Sequence, residues 1–351
     1  MSAALWTLLL ATASCEKMFE NESNCSTKVK LEFKKHRQAL QSANGKATDV
    51  FGSTVGSVHI FVFDQQSGEL VLEKYESTQN LKSQAQLGIG SDNQQQYLTI
   101  DIEPGTYKIV AWCGLDQNDQ NNAFELSAAA DARAQQPATL YDLCSVKTSE
   151  NGLPVNDQKY DAVYHGVVEN AVVSYNSVTP IELTKDTNDI AVWVQHTSAT
   201  FAEGDYEVVY TDANGTMRFD DNSLADSNML EYHPHSTALL TSSTVYNGET
   251  VDAGALIAHI STSRLMAANA DDARLEVRNR QGDIIFSIPL IKYVLELQTF
   301  TSDSQYYLDC EDTYNCSFYL TGESSGLWMP TQIIINNWVR VPDQTGSIGG
   351  E

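Results

Sequence analysis

Six cysteines and seven histidines are the residues in this 351-residue chain best suited to covalent or metal chemistry, and their spacing limits what they could do. No C-x-x-C pair and no mixed Cys/His zinc spacing occurs. His233 and His235, in EYHPHS, offer two imidazoles about a proline but no third ligand, so the motif reads as a turn. The oxygen-rich run DQNDQNNAFE at 116–125 has the flavour of a calcium loop. Asn121 and Ser127 stand where such a loop needs glycine and glutamate, so it reads as a solvated loop. Gly88 and Gly90 lack the third glycine and following helix of a phosphate-binding turn. No residue sits in a nucleophile elbow. Trp112, Trp193, Trp328 and Trp338 lie in or beside apolar strand segments, which points to core packing rather than ligand stacking. The expectation is a protein without catalytic residues, metal or cofactor.

The chemistry that remains is at the N-terminus. Residues 1–15, MSAALWTLLLATASC, are a short apolar run, then small residues, then Cys15. The run is shorter than the roughly 20 residues needed to span a bilayer, so residues 1–14 read as a signal peptide. The small residues before Cys15 resemble the lipobox of bacterial lipoproteins, although Thr12 stands where an aliphatic residue is usual and no Lys or Arg precedes the run. The resemblance makes Cys15 an acyl acceptor. Two or three chains on one cysteine, at about 0.8 kcal/mol per buried methylene, would hold the protein durably to outer-membrane lipid. Residues 15–26 then form an acidic tether, similar to the export signals of surface-exposed lipoproteins in Bacteroidota. Export permits disulfides. Cys310 and Cys316 flank a turn-like segment, DCEDTYNC, and are the favoured bridge; Cys113 with Cys144 is a second option, and Cys25 is left over.

The elements that must carry these residues are mostly strands. Lys+Arg 21 against Asp+Glu 46 give a net charge of −25. Such an acidic chain is unsuited to nucleic acid, which is bound by a cationic face, and to anionic lipid bound through a basic patch. Hydrophobic residues at 42% and charged residues at 19% fit a globular core. Val29, Leu31 and Phe33 alternate with polar neighbours in TKVKLEFK, the period of a half-buried strand. GSVHIFVF at 56–63 is apolar on both faces, and DQQSG turns it into ELVLEKY. Further hairpins are expected at QYLTIDI-EPG-TYKIVAW, at YEVVYTDANGTMRF and at ARLEVRNRQGDIIFSIPL. Little helix is expected, and 123–136 is its best candidate. Strands at this spacing and length predict an all-β fold of two tandem sandwiches, one over 27–178 and one over 179–351.

The order of these motifs resembles a known family. A lipidated cysteine, a short tether and KVKLEF are followed by VHIFVFD-QQSG-ELV and IEPGTYKIVAW. LEVRNRQGDIIFSIPLIKYV, YYLDCEDTYNCSFYL and WMPTQIIINNWVRV come later. This order is similar to that of the fimbrillin-associated fimbrial anchor lipoproteins of Bacteroidota. The resemblance implies two transthyretin-like Greek-key sandwiches and a role at the base of a cell-surface fimbria, at the outer membrane. It implies a fimbrial stalk subunit as partner. In such fimbriae stalk subunits lose their first strand to an arginine-specific protease, whereas an anchor keeps it. The corresponding self-strand here is residues 27–34, with Val29, Leu31 and Phe33 as its inward knobs. Arg37 follows directly, so a stalk or tip subunit cleaved near Arg37 is the alternative. A surface glycan-binding lipoprotein is a third reading. Family members often carry arginine and an aliphatic residue where this chain has Cys310 and Cys316, which fits a bridge private to this chain. The C-terminal segment 331–339 is expected to lie permanently in the second sandwich rather than to be donated.

Overall fold

The computed structural model describes residues 28–35, 56–77, 97–115, 124–126, 139–142, 149, 152–196, 200–218, 229–246, 249–296, 304–321, 329–336 and 338–340. The first half supplies β1 (Lys28–Lys35), β2 (Ser57–Asp64), β3 (Leu70–Ser77), β4 (Tyr97–Asp101), β5 (Gly105–Cys113), β6 (Phe124–Leu126), β7 (Thr139–Asp142), β8 (Val155–Asn156), β9 (Tyr164–Val173) and β10 (Val178–Lys185). Seven of them follow the order β3-β2-β5-β9-β10-β1-β4. The junction of β9 and β10 is short, with only Thr184↔His165 and Lys185↔Tyr164 in register. The arms on either side of it share one core that includes Leu31, Ile60, Leu98, Ile109 and Ile181. β2 is buried on both faces, as its unbroken apolar run predicts. Val58, Ile60 and Val62 fill that core, while Phe61 and Phe63 join a second cluster that continues into the rest of the chain.

The second half supplies β11 (Thr187–His196), β12 (Tyr206–Asp212), β13 (Thr216–Arg218), β14 (Leu230–Tyr232), β15 (Ser236–Tyr246), β16 (Glu249–Ser263), β17 (Arg274–Asn279), β18 (Ile284–Ile288), β19 (Thr313–Thr321), β20 (Met329–Ile335) and β21 (Trp338–Arg340). Helices α1 (Leu290–Glu296) and α2 (Ser304–Cys310) lie between β18 and β19. One sheet runs β15-β16-β11-β19-β20-β21, the other β18-β17-β12-β14-β8. Val192, Val194, Leu256 and Phe318 of the first share a core with Val208, Tyr210, Val277 and Phe286 of the second. The segment 331–339 contributes β20, paired with β19, and the start of β21. The fold is all-β, two sandwiches with little helix among the described residues.

Four local expectations are corrected. β4 and β5 are not a hairpin: β4 pairs with β1, and β5 pairs with β2 and β9. A tight Pro-Gly turn serves a crossing between facing sheets as well as a hairpin, and the longer β5 finds longer partners than the five-residue β4. β12 and β13 likewise separate, β12 joining β14 and β17 while β13 joins β7. Within the expected helix, Phe124–Leu126 is strand β6, paired with β7; most of the remainder lies outside the described residues. The expected change of sandwich at 178 falls at the start of β10, which pairs with β1 in the first sandwich. The passage runs instead through Asp186, between Lys185 and Thr187. The halves also interlock, since β7 pairs with β13 and β8 with β14.

Candidate functional site

The seat of β1 is closed on both sides. One edge forms a parallel ladder with β10, from Lys30↔Val178 to Lys35↔Leu183. The other forms an antiparallel ladder with β4, from Lys28↔Asp101 to Glu32↔Tyr97. Leu31 stands opposite Leu98 and Thr179 and is fully buried, which stabilises the seat by about 1.5–3 kcal/mol. Val29 and Phe33 occupy the register positions opposite Ile100 and Ile181. Removing β1 would strip two ladders of their partner at once and uncover Leu98, Ile100 and Ile181.

A buried histidine–carboxylate contact fixes the end of β10. Both carboxylate oxygens of Asp186 lie 2.8 Å from His165 Nδ1, and the His165 ring lies 5.5 Å from that of Trp112. Both polar residues are buried. The Asp186 N–H also donates to the Val163 carbonyl at 2.7 Å. Deleting one partner would leave the other buried without its hydrogen bond, which typically costs about 1–3 kcal/mol. Nearby, Gly114 adopts φ +93°, and a Cβ there would sit 2.2 Å from the Ala162 carbonyl oxygen, so only glycine fits.

The second sandwich carries a crevice of about 820 Å³, lined by residues of both of its sheets. Val208, Leu256 and Ala258 form its apolar floor, and Glu207, His233, Arg278 and Arg280 are among its polar lining. Burial alone would lower the His233 pKa, but Glu207 at 2.7 Å and Glu231 at 3.2 Å reverse this and raise it. Arg278 donates to Glu231 at 3.1 Å and to Glu276 at 2.8 Å. His233 is therefore tied up by carboxylates, and the His235 ring stacks on His259 with centroids 6.3 Å apart.

The other residues singled out from the sequence are dispersed. Cys15, Cys25, Arg37 and Cys144 lie outside the described residues. Cys310 and Cys316 are both buried thiols, so the expected bridge is not formed. Cys310 ends α2, whereas the extended backbone from Thr313 carries Cys316 into the core between the sheets, where burial pushes its thiol up to about 12. Cys113 is also a buried thiol. Trp112 packs in the core as expected, but Trp193 is 40% exposed. Sequence reasoning missed the His165–Asp186 pair, which no motif marks, and β15, whose signal is eleven consecutive residues without a charge.

Comparison with known proteins gives these sites their context. The family model for "Fimbrillin-A associated anchor proteins Mfa1 and Mfa2" matches residues 21–342. The chain belongs to this family. It is thus a fimbria-associated protein of the cell surface, in a family of structural anchor proteins. Solved structures share the anchor-family fold. A proposed adhesin from Bacteroides thetaiotaomicron superposes with a TM-score of 0.70 at 23% identity, over 90% of this chain and 98% of that one. The fimbrial anchor protein Mfa2 from Porphyromonas gingivalis gives 0.59 at 16% identity, over 90% and 99%. A structure from B. thetaiotaomicron described as proposed polysaccharide-binding proteins gives 0.66 at 20%, over 91% and 99%. No curated protein sequence matches this anchor-family chain.

Proposed function

We propose that this protein is the lipid-anchored base subunit of a cell-surface fimbria, holding the stalk to the outer membrane through acylated Cys15. The observation that carries the reading is the seat of β1, paired on both edges and contiguous in sequence with the tether that begins at Cys15. A strand so held resists extraction and connects a lipid to a folded sandwich. Its stalk partner would be held through a second surface, leaving β1 in place.

The test is the mass of the native protein. The anchor reading expects a chain starting at acylated Cys15, and Cys15→Ala should release fimbriae into the medium without unfolding the protein. Fimbriae that stay on Cys15→Ala cells would refute it. A native N-terminus near Gln38 would instead support the stalk or tip reading, with cleavage at Arg37 just past the end of β1 at Lys35. The exposure of Trp193 favours the glycan-binding reading, which retention on a polysaccharide column that is lost in Trp193→Ala would support.

A further inference from the structure

Open sheet edges invite pairing, and proteins usually blunt them with charge, proline or brevity. Most edges here follow that rule. β3 carries Glu73, Lys74 and Glu76. β4 is five residues long, and Lys74 Nζ reaches across to the Thr99 carbonyl at 3.1 Å. β18 has five residues and β21 three. β15 breaks the rule. It is eleven residues, STALLTSSTVY, without a charge, a proline or a glycine. Among the described residues it pairs with β16 alone, and Ser236–Ser243 are exposed, including Leu239 at 38% and Leu240 at 50%. Such composition belongs to segments that add strands readily.

A second observation lies beside this edge. The crevice is lined by Thr237 of β15 and by Leu256 and Ala258 of β16. A strand added to the free side of β15 would extend the six-stranded sheet by about 4.8 Å, turning every second side chain towards the opposite sheet. Main-chain pairing would supply affinity, and the crevice would select side chains. The polar lining is acidic on balance, with Asp157, Glu207, Glu231 and Asp283 against Arg278 and Arg280. The chain as a whole carries −25. A second copy would be repelled, whereas an uncharged or basic strand would not.

We infer that the β15 edge, with its crevice, is a strand-addition site for an extended, uncharged-to-basic segment of the fimbrial subunit that this protein holds; the inference rests on the anchor reading above. The test uses the full mature chain and fimbriae sheared from cells lacking it. Hydrogen exchange of residues 236–246 should slow by roughly tenfold or more when fimbriae bind. Ala238→Lys combined with Leu240→Lys, both at exposed positions, should keep the unfolding temperature and weaken capture by roughly tenfold or more, since edge lysines block pairing. Capture with unchanged exchange in β15, or undiminished capture by the double variant, would overturn the inference and leave the anchor reading standing. Wild-type dimers protected at β15 would assign the edge to a second copy and overturn the choice of partner. No capture by the wild type would overturn the anchor reading and this inference together.

Discussion

Leu31→Ala tests whether β1 is an integral part of the first sandwich. The side chain is fully buried, opposite Leu98 on β4 and Thr179 on β10, within a core that also holds Ile100 and Ile181. Truncating a buried leucine removes its transfer free energy and leaves a cavity, together about 2–5 kcal/mol. Ladders on both edges of β1 prevent the backbone from collapsing into the space, so the upper part of that range, about 3–5 kcal/mol, is expected. With a urea m-value of about 3 kcal/mol/M, the midpoint should fall by about 1–1.7 M. Leu240→Ala, at a half-exposed position, should shift stability by less than about 0.5 kcal/mol. The assay is urea unfolding of the mature chain, with Leu31→Ala, Leu98→Ala and the double variant compared. Contact between the two leucines predicts non-additivity of about 0.5 kcal/mol or more. A Leu31→Ala loss no larger than that of Leu240→Ala would refute the reasoning, because β1 would then contribute nothing to the folded core.

Gly114→Ala should destabilise by more than about 2 kcal/mol in thermal unfolding, since it combines a positive φ with a clash against backbone at Ala162. Asp212 accepts hydrogen bonds from Tyr210 Oη at 2.8 Å, Asn269 Nδ2 at 2.6 Å and the Ala213 N–H at 2.7 Å, yet burial raises its pKa from 3.8 to about 6. The folded state therefore holds a proton that the unfolded state has released, so this contribution is present below pH 3.8 and lost as pH rises through about 6. It amounts to roughly 3 kcal/mol, and Asp212→Asn should be that much better placed against wild type at pH 7 than at pH 3; parallel stability–pH curves would contradict this. Without reductant, Cys310 and Cys316 should both react with a thiol reagent in urea, each mapped by mass, and neither in the native chain; a pair that stays unlabelled in urea would restore the bridge.

Some of this architecture is readable from the residues. The hairpins β2/β3 and β17/β18 form where local turn chemistry predicts them, Gly68 and Gly282 supplying positive φ. β1 is legible from Val29, Leu31 and Phe33 because a period of two marks a strand wherever it ends up. The partner of a strand is less legible. Local sequence makes a turn at Pro104-Gly105 or Asn214-Gly215 but says nothing of whether the chain stays in its sheet, which depends on burial summed over distant segments. The Cys310–Cys316 expectation failed because spacing ignores the direction of the extended backbone after Thr313. His165 and Asp186 are single polar residues twenty-one positions apart, and only the corner between β9 and β10 joins them.

The parallel pairing of β1 with β10 bears on how the molecule takes a pull. A membrane tether would tug β1 at its N-terminal end, whereas β10 leaves by its C-terminal end, one residue before β11. Because the two strands run the same way, those tugs act at opposite ends of one ladder and along its axis. The rungs would then be strained in shear, all together, instead of opening one at a time like a zipper. In the fimbrial base proposed above, drag on the fimbria would load this ladder in that way.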